Sequence, residues 1–177
     1  RKAEVHIDPT MLLTSKDYEK IEEKPLKVLP DQYLLMYFLG ERTEEQLNFI
    51  RMISENLNLE IIELSEIPNT DFYNISPQNF IYLFRNANYV ATDSFHGTAL
   101  SIIFEKLFTV FYRQDKDEPM HARIDTLLNK MNLENRLFGN LSVYESCKPI
   151  DYVNVNHCLN EERQKSEKYL EEISKLW

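Results

Sequence analysis

The chain has 177 residues, which is the length of one compact domain or of one lobe of a two-lobed protein. Its 20 Lys and Arg against 29 Asp and Glu give a net charge of −9, which disfavours binding to nucleic acid or to anionic lipid. Its 3 glycines exclude a Gly-x-Gly-x-x-Gly dinucleotide loop and a Walker-type phosphate loop, and its 2 distant cysteines and 4 scattered histidines give no zinc spacing.

The first part of the chain predicts a polar segment followed by a strand and a helix. Residues 1–30 are polar and charged apart from a short apolar cluster, and we expect an entry segment or linker there. Residues 32–40 form an apolar run that ends at a glycine, which is typical of a strand buried on both faces of a parallel sheet. Thr43 and Gln46 have the spacing of a capping box, so a helix should follow.

The same alternation continues through residues 31–155, which we expect to form a Rossmann-like lobe. Residues 60–64, 89–92 and 108–112 are predicted strands, and apolar stripes at helical spacing predict helices between and after them. Ser76 before Pro77 predicts the N-cap and first turn of one of these helices. Repeated strand and helix units predict an α/β fold with a doubly wound, mainly parallel sheet.

The tail, residues 156–177, predicts a helix that closes the same lobe. Its charges nearly balance, and its apolar residues recur at helical spacing. We expect five of them on its buried stripe: Tyr169, Leu170, Ile173, Leu176 and Trp177.

A polar cluster between the third predicted strand and the next helix is the best candidate for a site. Ligands of doubly wound sheets bind beyond the carboxyl ends of the strands, and a helix N-terminus attracts anions. Gly97 would let a phosphate or carboxylate approach the backbone, Ser94 and Thr98 offer hydroxyls, and His96 can donate a hydrogen bond or a proton. A purely structural interpretation of the same residues stays open. In it, Asp93 or Ser94 caps the helix, His96 is a turn histidine and Gly97 relieves a tight bend.

Two arginines are candidates for binding the same anion. Arg113 ends the fourth predicted strand and Arg123 begins a predicted helix, so both could offer bidentate donors to one cleft. His121, close to Arg123, could join them or be a solvated loop histidine. The alternative for each arginine is a solvated or ion-paired surface charge. Four acidic residues close in sequence could supply such pairs: Asp115, Asp117, Glu118 and Asp125.

Two aspartates are assigned structural roles from their sequence context. Asp93 is expected to be a turn or cap carboxylate rather than a catalytic base. Asp8 is assigned to a plain turn before Pro9, with a position lining the cleft between two lobes as the alternative.

Residues 89–104, with the Ser-x-His-Gly run at 94–97, closely resemble the motif region of the polysaccharide pyruvyl transferase family. Further similar stretches are residues 8–13, 75–80, 108–113 and 123–128, so the resemblance spans most of the chain. It implies the C-terminal lobe of a two-lobed, B-type glycosyltransferase (GT-B) architecture. Because the chain starts with Arg1 rather than Met, we expect a piece of a longer protein whose N-terminal lobe is missing here.

The resemblance also implies a function. The family moves the enolpyruvyl unit of phosphoenolpyruvate onto sugar hydroxyls, commonly as a pyruvate ketal on a surface polysaccharide. The implied partners are phosphoenolpyruvate as donor substrate, a glycan or lipid-linked sugar as acceptor and the N-terminal lobe, without which this chain should be inactive. No cofactor, metal or nucleic acid is implied. His96 is the implied catalytic residue, and the implied substrate-binding residues are Ser94, Gly97, Thr98, Arg113 and Arg123.

The implied setting is bacterial exopolysaccharide biosynthesis, in the cytoplasm or peripherally at the inner face of the membrane. No apolar run approaches the roughly 18 residues of a membrane span, so no span is expected. Two other functions stay open. One is a nucleotide-sugar-dependent B-type glycosyltransferase lobe, which predicts an acidic ribose-binding residue that we cannot place. The other is a non-catalytic domain that binds a sugar phosphate or a partner.

Overall fold

The computed structural model describes residues 4–64, 72–113 and 118–175. Within them, four strands form one all-parallel sheet in the order β2-β1-β3-β4. The strands are β1 Tyr33–Tyr37, β2 Glu60–Leu64, β3 Tyr89–Thr92 and β4 Leu107–Val110. The predicted parallel α/β fold is therefore confirmed.

Helices precede, connect and follow these strands, and several of them have local start signals in the sequence. Their bounds are α1 Ser15–Glu19, α2 Glu44–Leu57, α3 Pro77–Asn86, α4 Phe95–Ile103, α5 Glu118–Lys130, α6 Val143–Ser146 and α7 Tyr152–Ser174, with 3₁₀ turns at Pro9–Leu12 and Glu134–Arg136. The capping box of α2 forms as predicted, since Gln46 N donates to Thr43 Oγ1 at 3.2 Å and Thr43 N donates to Gln46 Oε1 at 3.0 Å. Ser76 is the N-cap of α3, where its Oγ accepts from Asn79 N at 3.1 Å, and Pro77 lies in the first turn.

Helices cover both faces of the sheet, which is what a doubly wound fold requires. Leu34 and Met36 of β1 belong to an apolar cluster shared with α2, whereas Tyr33 and Leu35 belong to a larger cluster shared with α3, α4, α5 and α7. This alternation along one strand follows from the period of two of extended backbone. The sheet is therefore the central layer between two helical layers.

The segment expected to be an entry is packed into the larger cluster. Ile7, Met11 and Tyr18 are buried there. Arg163 of α7 holds the segment, because its Nε donates to the Met11 carbonyl at 2.7 Å and its Nη2 donates to the Leu13 carbonyl at 2.6 Å. The N-terminal segment thus packs against the same core as the sheet and its helices.

The closing helix differs from its prediction in two respects. It begins at Tyr152, four residues before the predicted start, and its buried residues are Val155, Leu159 and Ser166. The predicted buried stripe is wrong for Tyr169 and Leu170, which are 42% and 51% exposed, and Ile173 is only partly buried. The two remaining members of that stripe, Leu176 and Trp177, lie outside the described residues. The error arises because the core packs mainly against the N-terminal half of α7, while most residues of the C-terminal half are exposed.

Candidate active site

The candidate site lies where the strand order reverses, between the carboxyl ends of β1 and β3. At this switch point the two connecting loops diverge and leave a crevice, which is the usual ligand position in such sheets. Asp93 ties the two loops together, because its buried carboxylate accepts hydrogen bonds from Leu39 N and Gly40 N, both at 2.8 Å. Asp93 therefore holds a turn, as expected, although the turn belongs to the loop after β1.

Helix α4 begins at Phe95, two residues after Asp93, so its first turn faces this crevice. Ser94 is the N-cap, and its Oγ accepts from Gly97 N at 3.3 Å. Phe95 and His96 occupy the two helical positions before Gly97, where backbone amides have no partner within the helix. The polar cluster that was expected to precede the helix is therefore largely its first turn.

Two of the predicted substrate-binding residues are packed inside the protein. A Cβ atom on Gly97 would lie 2.4 Å from Oγ1 of Thr92, so the missing side chain allows α4 to approach β3. Thr98 is fully buried, and its hydroxyl donates to the Ser94 carbonyl at 2.9 Å. Neither residue lines the cavity at the switch point.

The other four predicted site residues come together in that cavity. Ser94, His96, Arg113 and Arg123 all line it, although they come from three separate parts of the chain. Its volume is about 100 Å³, and the remaining lining residues are Leu39, Asp93, Phe95, His121 and Ile124. We call it the anion cavity, because two arginines and two histidines face it and Asp93 is the acidic residue in its lining.

Arg113 is held in this cavity by Asp93. Its side chain is 14% exposed, and its Nε lies 3.5 Å from Asp93 Oδ2. That nitrogen is buried and makes no hydrogen bond within the described residues. The ion pair is loose, so a second anion can still interact with the guanidinium group. Asp115 and Asp117, two of the surface partners considered above, lie outside the described residues, as does the side chain of Glu118.

Arg123 and His96 share a carboxylate neighbour that sequence reasoning assigned to a plain turn. Asp8 Oδ1 accepts from Thr10 N at 3.1 Å and from Thr10 Oγ1 at 2.8 Å, as a turn residue would. Its Oδ2 lies 3.7 Å from Arg123 Nη2 and 4.0 Å from His96 Nε2. Arg123 also stacks on Phe95, with 4.3 Å between the guanidinium carbon and the ring centre. The turn predicted for Asp8 is therefore present, and the same carboxylate also lies beside two predicted site residues.

His121 borders the anion cavity on the side of Arg113. Its ring stacks on Tyr112 at 4.2 Å, and its Nε2 lies 3.2 Å from the Arg113 carbonyl oxygen. The Tyr112 hydroxyl donates to Asp125, and burial together with that carboxylate raises the pKa of Tyr112 to about 12. Asp125 is thus bonded to a tyrosine, and Arg123 lies beside Asp8 instead.

Comparison with known proteins bears on this arrangement. Residues 1–115 match the family model described as polysaccharide pyruvyl transferase. The chain belongs to this family. The matched range contains Asp8, His96 and Arg113 and ends before Arg123. A search of curated proteins and a search of solved structures found no match.

Two further features were searched for in the described part of the chain. No helix there is both long enough and apolar enough to cross a membrane. Across residues 4–64, 72–113 and 118–175, no group of three or more His, Cys, Asp or Glu side chains is arranged to hold a metal ion.

Proposed function

We propose that this chain is the C-terminal lobe of a GT-B transferase that moves the pyruvyl unit of phosphoenolpyruvate onto a sugar of a surface polysaccharide or its precursor. The anion cavity would hold one anionic group of the donor. The observation that carries the proposal is the convergence of Ser94, His96, Arg113 and Arg123 on one cavity at the switch point of a sheet from this family.

The charges around the anion cavity suit a donor that carries both a phosphate and a carboxylate. Arg113 and Arg123 supply two positive charges, which Asp93 and Asp8 offset in part at 3.5 and 3.7 Å, and the first turn of α4 adds the partial positive charge of a helix N-terminus. The volume of about 100 Å³ is well below the roughly 300–1,000 Å³ of pockets that hold a whole ligand. That space accommodates one phosphate or carboxylate group, so the rest of the donor would extend outward past His96, whose side chain is 56% exposed.

The proposed reaction needs an acid near the donor and stabilisation of the departing phosphate. In ketal formation, the donor methylene carbon gains a proton, its neighbouring carbon forms C–O bonds to two sugar hydroxyls, and the bond from that carbon to the phosphate oxygen breaks. Of the two hydroxyl protons, one balances the proton on the methylene carbon and the other leaves with phosphate. His96 is the proposed proton donor, and the two arginines would stabilise the charge on the phosphate.

Substitution of His96 tests this role. In the full-length protein, we expect His96→Ala to lower turnover roughly 100-fold or more, because a general acid typically contributes 10²–10⁴-fold. His96→Gln keeps a hydrogen-bond donor without a proton to transfer near neutral pH, so it should restore donor binding better than turnover. The matched control is His157→Ala, since His157 lies exposed on α7 and lines none of the cavities described here. Normal turnover per folded molecule in His96→Ala would contradict the proposal.

The identity of the donor is tested by ligand-dependent stabilisation. A ligand that binds only the folded protein raises its melting temperature by mass action. We expect phosphoenolpyruvate to raise it, and Arg113→Gln to abolish most of that increase. Stabilisation by a nucleotide sugar and not by phosphoenolpyruvate would favour the glycosyltransferase alternative.

The requirement for a second lobe is part of the same proposal. In a GT-B protein the substrates lie between two lobes, so residues 1–177 alone should bind the donor weakly and should not turn it over. Release of phosphate from phosphoenolpyruvate and a glycan acceptor by the isolated chain would refute this part.

A further inference from the structure

We propose that a second cavity, on the other side of Asp8 from the anion cavity, binds one sugar ring of the acceptor. This inference rests on the proposed function and adds the position of the acceptor to it. The cavity has a volume of about 340 Å³. It is bounded by residues 5–8, by Met11 and Phe95, and by the face of α5 that carries Ala122, Thr126 and Lys130. We call it the acceptor cavity.

The position of the acceptor cavity is the first argument. It shares Phe95 and Arg123 with the anion cavity, so the two cavities adjoin. Three further cavities in the described part of the chain share no lining residue with the anion cavity. An acceptor hydroxyl must reach the donor carbon to react, and a sugar in an adjoining cavity meets that requirement.

Asp8 supplies the second argument, because it lies at the boundary of the two cavities. Its Oδ1 is already bonded twice to Thr10, which fixes the carboxylate, while Oδ2 lies 3.7 Å from Arg123 Nη2 and accepts no hydrogen bond from the described residues. That oxygen belongs to a lining residue of the acceptor cavity and lies 4.0 Å from His96 Nε2. A sugar hydroxyl that donates to Asp8 Oδ2 would therefore be close to the proposed acid of the reaction.

The lining itself suits a sugar ring, which presents apolar C–H faces and a rim of hydroxyls. The cavity has an apolar wall, formed by Ile7, Met11, Phe95 and Leu127. Its acidic and basic lining residues are His6, Asp8, Arg123 and Lys130. The volume of about 340 Å³ is near the lower end of the roughly 300–1,000 Å³ typical of ligand pockets, as expected for one ring rather than a nucleotide.

His6 adds an unsatisfied polar group to this lining. Its Nε2 is buried without a hydrogen bond among the described residues, and the nearest acidic oxygen, on Glu4, is 3.6 Å away. Its other ring nitrogen, Nδ1, lies 3.3 Å from Ser166 Oγ, so the ring is held in place. Buried polar atoms usually have partners, and a ligand hydroxyl would supply this one.

Filling the cavity tests the inference. Ala122 lines the acceptor cavity, does not line the anion cavity and is exposed on α5, so Ala122→Trp should occupy the cavity while the protein still folds. Saturation-transfer NMR with the methyl glycosides of glucose, galactose and mannose would report sugar binding by the full-length protein. We expect at least one glycoside to bind the wild type, and Ala122→Trp to reduce its signal about tenfold.

Two further variants separate blocking of the cavity from a general effect on α5. Thr126→Trp, from the same face, should reduce the glycoside signal as Ala122→Trp does. Asn129→Trp introduces the same side chain at an exposed position of α5 outside both cavities, and this variant should leave the glycoside signal unchanged. Equal melting temperatures of the three variants, within a few degrees, would exclude unfolding as the cause.

The outcomes distinguish this inference from the proposed function. Loss of glycoside binding in Ala122→Trp, with stabilisation by phosphoenolpyruvate retained, supports the acceptor cavity. No glycoside binding by the wild type, or unchanged binding in both cavity-filling variants, overturns it. Loss of phosphoenolpyruvate binding in these variants overturns it as well, since the cavity would then belong to the donor. If phosphoenolpyruvate never binds but glycosides bind in this cavity, the donor proposal fails alone.

Discussion

Replacing Gly97 with alanine should destabilise the protein through one contact. The new Cβ would lie 2.4 Å from Thr92 Oγ1 and 3.2 Å from Thr92 Cβ and Cγ2. The threonine cannot turn away without loss, because its hydroxyl donates to the Tyr37 carbonyl at 2.7 Å and accepts from Ser94 N at 3.1 Å. The clash therefore acts on the end of β1, on β3 and on the cap of α4 together.

The size of the effect follows from these contacts. Overpacking a core typically costs about 1–3 kcal/mol, and each lost hydrogen bond about 1 kcal/mol. Alanine regains up to ~1 kcal/mol of helix propensity over glycine. We expect Gly97→Ala to lower the free energy of unfolding by about 3 kcal/mol, or the melting temperature by roughly 6–12 °C for a domain of this size.

Urea unfolding followed by circular dichroism measures this loss, and a double-mutant cycle identifies its cause. Thr92→Ala removes the clashing hydroxyl, so the two substitutions together should cost about 2 kcal/mol less than their separate costs combined. Thr92→Ser keeps the hydroxyl and should give no such rescue. Gly139→Ala serves as a control, because a side chain at the Gly139 φ of +95° is strained although the space around it is open. The stability lost in Gly139→Ala should not depend on the residue at position 92. Wild-type stability in Gly97→Ala, or additive costs with Thr92→Ala, would refute the reasoning.

Two other perturbations have directions set by the structure. Asp93→Asn should cost about 2–3 kcal/mol, because an amide cannot accept from Leu39 N and Gly40 N as a carboxylate does, and hydrogen exchange at these two amides should accelerate. Unchanged exchange would contradict the role of Asp93 in joining the loops. Burial raises the pKa of Tyr89 from 10.0 to about 12, so its contribution to stability is complete below pH 10 and is lost as the pH rises towards 12, at about 1.4 kcal/mol per pH unit. Between pH 10 and 12, the unfolding free energy of Tyr89→Phe should therefore fall by about 1.4 kcal/mol less per pH unit than that of the wild type. Identical slopes would show that the pKa of Tyr89 does not change on folding.

The strands, the helix starts and part of the site could be predicted because their signals are local. A capping box needs only Thr43 and Gln46, three residues apart, and a buried parallel strand needs only a short apolar run. Ser94, His96 and Arg113 could be predicted to meet because they follow the neighbouring parallel strands β3 and β4, whose carboxyl ends lie at one edge of the sheet, and Arg123 belongs to the helix after β4.

Contacts between distant segments were not predictable in the same way. Asp8 meets His96 and Arg123 only because the N-terminal segment packs against α4 and α5, and a turn signal at Asp8 carries no information about that packing. Gly97 was assigned to ligand binding because a glycine allows another group to approach the backbone closely. The sequence does not show that this group is the side chain of Thr92. The buried stripe of α7 failed for a related reason, since amphipathic spacing identifies an apolar face without showing how far its partner extends.

The two bonds from Arg163 of α7 to the carbonyls of Met11 and Leu13 have a consequence for how the protein is made. They join positions about 150 residues apart in a chain that is synthesised from its N-terminus. Until α7 has been synthesised, neither bond can form, and residues 11–13 lack the side chain that holds their carbonyl groups. Contacts of such long sequence separation form late and slow folding. All four strands precede α7 in the chain, so the sheet can form from residues already synthesised while these two bonds still wait for their donor.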